Sequence, residues 1–85
     1  VSGHMIIRVR LFAAARQNVG QEVVDVSLDE SATVGQLRAA LIGQFPALVP
    51  LGPHLLFALD REYSADHVSL RPEIEVACFP PVSGG

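Results

Sequence analysis

The sequence predicts a small α+β domain, on three observations: an alternating apolar run near its start, a capped helical repeat in its middle, and a second alternating run near its end. From Ile7 to Phe12, one strand face takes Ile7, Val9 and Leu11 and the other takes Arg8, Arg10 and Phe12, which reads as a half-buried strand. Ala13 to Asn18 fits a short helical turn closed by Gly20. Val24, Val26 and Leu28 then alternate with Asp25 and Ser27 as a second strand, expected to pair with the first. Thr33, followed three residues on by Gln36, has the form of a capping box, and Val34, Leu37, Leu41 and Phe45 recur at helical spacing. That main helix should stop before Pro46, because the residue preceding a proline is driven out of helical geometry. Pro50, Gly52 and Pro53 mark an irregular connection into a third strand, Leu55 to Leu59, and Asp60-Arg61-Glu62 forms a turn into a short fourth strand at Tyr63 and Ser64. After a turn at Pro72-Glu73, Ile74, Val76 and Cys78 alternate with Glu75, Ala77 and Phe79 in the last strand. Pro80 and Pro81 lack backbone N–H donors, so there the chain leaves the sheet and runs extended.

With 85 residues, 49% of them hydrophobic, the chain has room for one domain with one modest core and is too apolar to stay unfolded. No apolar run approaches the ~20 residues a membrane crossing requires, so no membrane role is expected. The single cysteine, Cys78, excludes an internal disulfide and a multi-cysteine metal site, and no signal-peptide pattern precedes the first strand. A reducing, cytoplasmic setting is expected. A formal net charge of -3 provides no cationic footprint for nucleic acid. All six basic residues are arginine, so no side-chain amine is available for isopeptide attachment to the chain itself. Val1-Ser2-Gly3-His4 reads as an expression-tag remnant (1–4), which leaves a folded domain over 5–79 and an extended tail over 80–85.

The tail Pro80-Pro81-Val82-Ser83-Gly84-Gly85 has chemical potential. Gly84 and Gly85 have no Cβ and can thread a channel closed to other residues. Six extended residues reach ~20 Å, enough to place a terminal carboxylate inside another protein while the domain stays outside. A carboxylate is a poor electrophile; once activated as an acyl-adenylate it can be attacked by sulfur or an amine. Read from residues alone, the same Ser-Gly-Gly end is equally a frayed terminus. Cys78 shares strand parity with Ile74 and Val76 and has no histidine or basic neighbour in sequence, so it reads as a core residue rather than a nucleophile. His54 and His67 lack metal-pair spacing, and no metal site is expected. Asp25, Asp29, Glu30 and Asp60 are scattered, which suits solvated charge better than an acid–base pair. Phe12 and Phe79 fall on strand faces opposite the core, and Tyr63 follows a polar turn. These three read as an exposed aromatic patch for a partner, with burial in the core as the alternative.

Leu11-Phe12-Ala13-Ala14-Ala15-Arg16, Ala32-Thr33-Val34-Gly35-Gln36-Leu37 and the stretch from Glu75 through Phe79 into Pro80-Pro81-Val82-Ser83-Gly84-Gly85 strongly resemble the MoaD family of ubiquitin-like sulfur carriers, the small subunits of molybdopterin synthase. The likeness covers nearly all of Met5 to Gly85, and its final segment is the most specific part. It implies a β-grasp (ubiquitin-like) fold, a mixed sheet with one main helix on one face. It also implies a chain that is not itself catalytic. An E1-like adenylating enzyme would use ATP to activate Gly85, a sulfur donor protein would convert it to a thiocarboxylate, and the tail would enter the large subunit of molybdopterin synthase. There the sulfur would pass to cyclic pyranopterin monophosphate to build the molybdopterin dithiolene of the molybdenum cofactor, with no cofactor bound by the chain. The family's docking positions fall on Phe12, Tyr63 and Phe79, with Arg16 as a basic contributor, and its assembly is a heterotetramer of two small and two large subunits. The family often has Asn where this chain has Asp60, and a Gly-Asp turn where it has Glu73-Ile74. Three other readings stay open, of which the first two are a related carrier serving thiamin synthesis or tRNA thiolation and a protein modifier conjugated through Gly85. A plain interaction module with an inert tail is the third.

Overall fold

The structure, a computed structural model, describes residues 3–80. Its elements run β1 (His4–Leu11), α1 (Ala13–Val19), β2 (Val23–Asp29), α2 (Val34–Gln44), β3 (Leu56–Leu59), β4 (Glu62–Tyr63) and β5 (Val76–Phe79), with 3₁₀ turns at Pro46–Leu48 and Gly52–His54. The strands form one sheet in the order β2-β1-β5-β3-β4. β1 and β5 are parallel at its centre, and every other neighbouring pair is antiparallel. This is the β-grasp arrangement that the resemblance implies, with α2 packed on one face.

Strand parity decides which face is buried. Met5, Ile7, Val9 and Leu11 of β1 turn inward, opposite Val24, Val26 and Leu28 of β2. Val76 and Cys78 extend that face across the centre, and Phe57 and Leu59 complete it. Against it α2 lays Val34, Leu37 and Leu41, all fully buried. Burying one leucine of this kind contributes about 1.5–3 kcal/mol. The helix opens with the expected capping box: Thr33 N–H donates to Gln36 Oε1 at 2.8 Å while Thr33 Oγ1 accepts from Gln36 N–H at 3.4 Å. It ends at Gln44, with Phe45 as its C-cap immediately before Pro46.

Boundaries differ from expectation where tertiary context outweighs local pattern. β1 begins at His4, which pairs with Asp29, so a residue set aside as tag remnant lies in the sheet. The β1–β2 connection contains a complete helix, α1, closed by Gly20 at φ 81 with its N–H on Arg16 O at 2.8 Å. Ser64 lies outside β4, and Ile74, although buried, lies ahead of β5.

Two turns and one arginine hold the β5-β3-β4 side of the sheet. Leu59 pairs with Glu62 across a two-residue loop in which Asp60 and Arg61 take φ of 48 and 74, the type I′ pattern of a tight hairpin. Pro72-Glu73 forms a second turn, closed by Ile74 N–H on Arg71 O at 3.2 Å with Glu73 at φ 65, the type II pattern. The family's Asn and Gly at these two places are residues that tolerate left-handed backbone; here Asp60 and Glu73 adopt it instead. Asp60 compensates by bonding: its N–H donates to Glu75 O, its carboxylate accepts from Glu75 N–H, and Arg71 pairs with it. Arg38, only 19% exposed, reaches from α2 to Gly52 O at 2.9 Å, Leu55 O at 2.7 Å and Asp66 Oδ1 at 2.8 Å, and lies over the Phe57 ring. It ties the helix to the connection entering β3.

Candidate functional site

The sheet face that α2 does not cover carries the aromatic residues singled out above. Phe12 directly follows β1 and is the N-cap of α1; its N–H donates to Cys78 O at 3.1 Å, which keeps it registered with β5. Phe79, the last residue of β5, lies opposite Leu56, and Tyr63 lies opposite Ala58. These placements bring the three rings together. Phe12 and Phe79 stack with centroids 4.7 Å apart and planes 10° from parallel, and Tyr63 meets Phe79 edge-on at 5.9 Å. Phe12 and Phe79 are half-buried by this packing, whereas Tyr63 is 70% exposed. The three rings therefore form one cluster from which only Tyr63 protrudes.

A groove on this face is lined by Phe12, Ala58, Tyr63, Ala77 and Phe79, with Arg10, Arg61 and Glu75 as its charged members. The chain leaves the groove at Phe79 and passes directly into Pro80, which is half-buried. Pro81, Val82, Ser83, Gly84 and Gly85 lie outside the described residues.

Arg16 lies four residues past Phe12 on α1, where its guanidinium pairs with Glu22 at 3.7 Å. Arg10 and Arg61, which sequence reasoning did not select, line the groove instead. For Arg10 the signal was present, because it stands two residues before Phe12 on the same strand face. For Arg61 it was not, since its placement depends on the hairpin that folds β4 beside β3.

Cys78 is completely buried, and that burial pushes its thiol up to about 12 from an ordinary 9.0, against a smaller opposing effect of Arg38. It is a core residue and no nucleophile at neutral pH. His54 and His67 are exposed and far apart in sequence, and no group of three metal-ligating side chains forms among the described residues. Among those residues, no helix is long and apolar enough to cross a membrane.

Comparison with known proteins agrees with this geometry. Residues 9–85 match the ThiS family. The molybdopterin synthase sulfur carrier subunit of Chlamydomonas reinhardtii is 36% identical over 83 residues, 95% of this chain and 100% of that protein. Its counterpart in Arabidopsis thaliana is 32% identical over 79 residues, 93% of this chain and 82% of that protein. Small archaeal modifier protein 1 of Haloferax volcanii is 36% identical over 84 residues, 89% of this chain and 97% of that protein. The crystal structure of that modifier superposes with a TM-score of 0.83 at 31% identity, covering 92% of this chain and 99% of the other. From its sequence, its β-grasp sheet and these relatives, the chain belongs to the ThiS family of ubiquitin-like proteins, in company with sulfur carrier subunits of molybdopterin synthase.

Proposed function

We propose that this chain is the sulfur-carrying small subunit of a molybdopterin synthase, with Gly85 as the covalent site. One observation carries the reading: the family match runs through residue 85, and the groove of Phe12, Tyr63 and Phe79 sits where the chain departs toward that residue. An E1-like enzyme joins the Gly85 carboxylate to the α-phosphorus of ATP with loss of pyrophosphate. The outer persulfide sulfur of a donor protein then attacks the acyl carbon and displaces AMP, and a thiol cleaves the resulting acyl disulfide at its S–S bond, which leaves the thiocarboxylate on Gly85 and a disulfide on the donor side. The aromatic groove docks on the large subunit, and Pro80 directs Pro81, Val82, Ser83, Gly84 and Gly85 into that subunit's pocket, where sulfur passes to cyclic pyranopterin monophosphate. Such a division of labour is consistent with a domain in which the only cysteine is buried. Two small and two large subunits form the assembly, in the cytoplasm.

Reconstitution tests the reading. Thiocarboxylated chain mixed with the cognate large subunit should form molybdopterin, and removal of Gly85 should abolish formation without lowering the melting temperature. Formation that survives loss of Gly85 would contradict it. The similarity to a small archaeal modifier favours a second reading, conjugation of activated Gly85 to lysines of other proteins. That reading predicts conjugates that persist through boiling and thiol treatment. They would involve target lysines only, because this chain has none.

A further inference from the structure

Four of the six arginines have a carboxylate partner: Arg8 with Asp25, Arg16 with Glu22, Arg38 with Asp66 and Arg71 with Asp60. The other two, Arg10 and Arg61, have none among the described residues, and both line the aromatic groove. Arg10 stands between uncharged register neighbours, Val23 on β2 and Ala77 on β5. Arg61 takes φ 74 at a hairpin position that favours glycine, so a long cation occupies a place where the backbone disfavours any side chain. One carboxylate, Glu75, lines the groove with them, and it forms no ion pair among the described residues. An excess of unpaired cation around three aromatic rings, on a chain whose net charge is -3, is a local feature and no consequence of overall composition.

We infer that the partner surface covering this groove is an apolar pocket rimmed by carboxylates that face Arg10 and Arg61. The inference rests on the docking reading above and adds its charge chemistry. The rings provide burial, and the two guanidiniums provide register and speed of encounter, since rim charges act chiefly on association rate and orientation. The occupant is a protein: the rings pack on one another rather than standing apart to stack with bases, and the chain as a whole repels polyanions.

Calorimetric titration of the full chain with the cognate large subunit of molybdopterin synthase, at low and high salt, tests this. Arg10→Glu with Arg61→Glu should weaken binding by about tenfold or more at low salt and flatten the salt dependence seen with the unaltered chain. Arg10→Ala with Arg61→Ala should give a smaller loss in the same direction. Both sites are exposed, so the melting temperature should hold in each variant. Binding of both double variants within about twofold of the unaltered chain would overturn the inference and leave the docking reading standing. If the unaltered chain does not bind the large subunit, the docking reading falls and takes the inference with it. Self-association of the chain alone, abolished by the same reversals, would assign the groove to a second copy and overturn it as well.

Discussion

Replacing Arg38 by methionine should destabilise the domain more than any other single loss of a polar group described above. The methionine keeps the buried stem and removes the guanidinium. Two charge-assisted hydrogen bonds disappear, to Gly52 O at 2.9 Å and Leu55 O at 2.7 Å, each worth roughly 1.5–3 kcal/mol. The carbonyl of Gly52 still accepts from Leu55 N–H at 3.3 Å, so the cost there falls at the low end of that range. The contact over Phe57, at 5.1 Å, adds roughly 0.5–1 kcal/mol. The pair with Asp66, whose side chain is 59% exposed, is screened by water and adds about 0–1 kcal/mol. The total is about 4 kcal/mol, set against the roughly 4–13 kcal/mol expected for a domain of this length. Urea denaturation should show it as a lowered midpoint with unchanged slope, and heating as a melting temperature lower by about 20 °C. Asp66→Asn, measured beside it, should cost under about 1 kcal/mol. An Arg38→Met loss as small as that of Asp66→Asn would refute the claim that this arginine, through the two carbonyls, fastens α2 to the approach to β3.

Three further perturbations probe the turns, the core thiol and the groove. Glu73→Gly should stabilise the fold by about 0.5–1 kcal/mol, because relief of left-handed strain exceeds the added entropy of the unfolded chain; a lowered urea midpoint would contradict the turn geometry. Cys78 should resist thiol reagents until the domain unfolds. Because its folded thiol is pushed up to about 12 from 9.0, the stability tied to the neutral thiol is complete below pH 9 and is lost as pH rises toward 12. Comparing the unaltered chain with Cys78→Val at pH 7 and pH 10 should reveal roughly 1.4 kcal/mol of this alkaline loss, present only when the cysteine is. Phe79→Ala removes both ring contacts and should cost the fold about 1–2 kcal/mol while weakening large-subunit binding by about 30-fold; a binding loss below about threefold would take the cluster out of the interface.

Local pattern revealed the features that depend on neighbours in sequence. Alternation in β1 placed Phe12 on the open face, and the Thr33–Gln36 spacing located the start of α2. It missed features set by distant chain. That β5 runs parallel beside β1 follows from no periodicity in either strand. Arg38 occupies an ordinary helical position, and its inward role arises from carbonyls 14 and 17 residues away. β5 begins at Val76 rather than Ile74 because the type II turn consumes the residues before it. In the candidate site, parity was enough to group Phe12 and Phe79, and the hairpin at Asp60-Arg61 was needed to bring Tyr63 and Arg61 to them. For Gly85 the residues alone offered a carboxylate open to activation, matched equally by a frayed end, and the choice of sulfur chemistry came from the family resemblance.

Mass spectrometry of the intact chain, co-produced with an E1-like adenylating enzyme and a sulfur donor, reads the proposed Gly85 chemistry itself. A species in which one oxygen of the Gly85 carboxylate is replaced by sulfur is expected, and it should be lost when Gly85 is deleted. A chain that retains an unmodified carboxylate while the adenylating enzyme is active and the sulfur donor is loaded would contradict that chemistry.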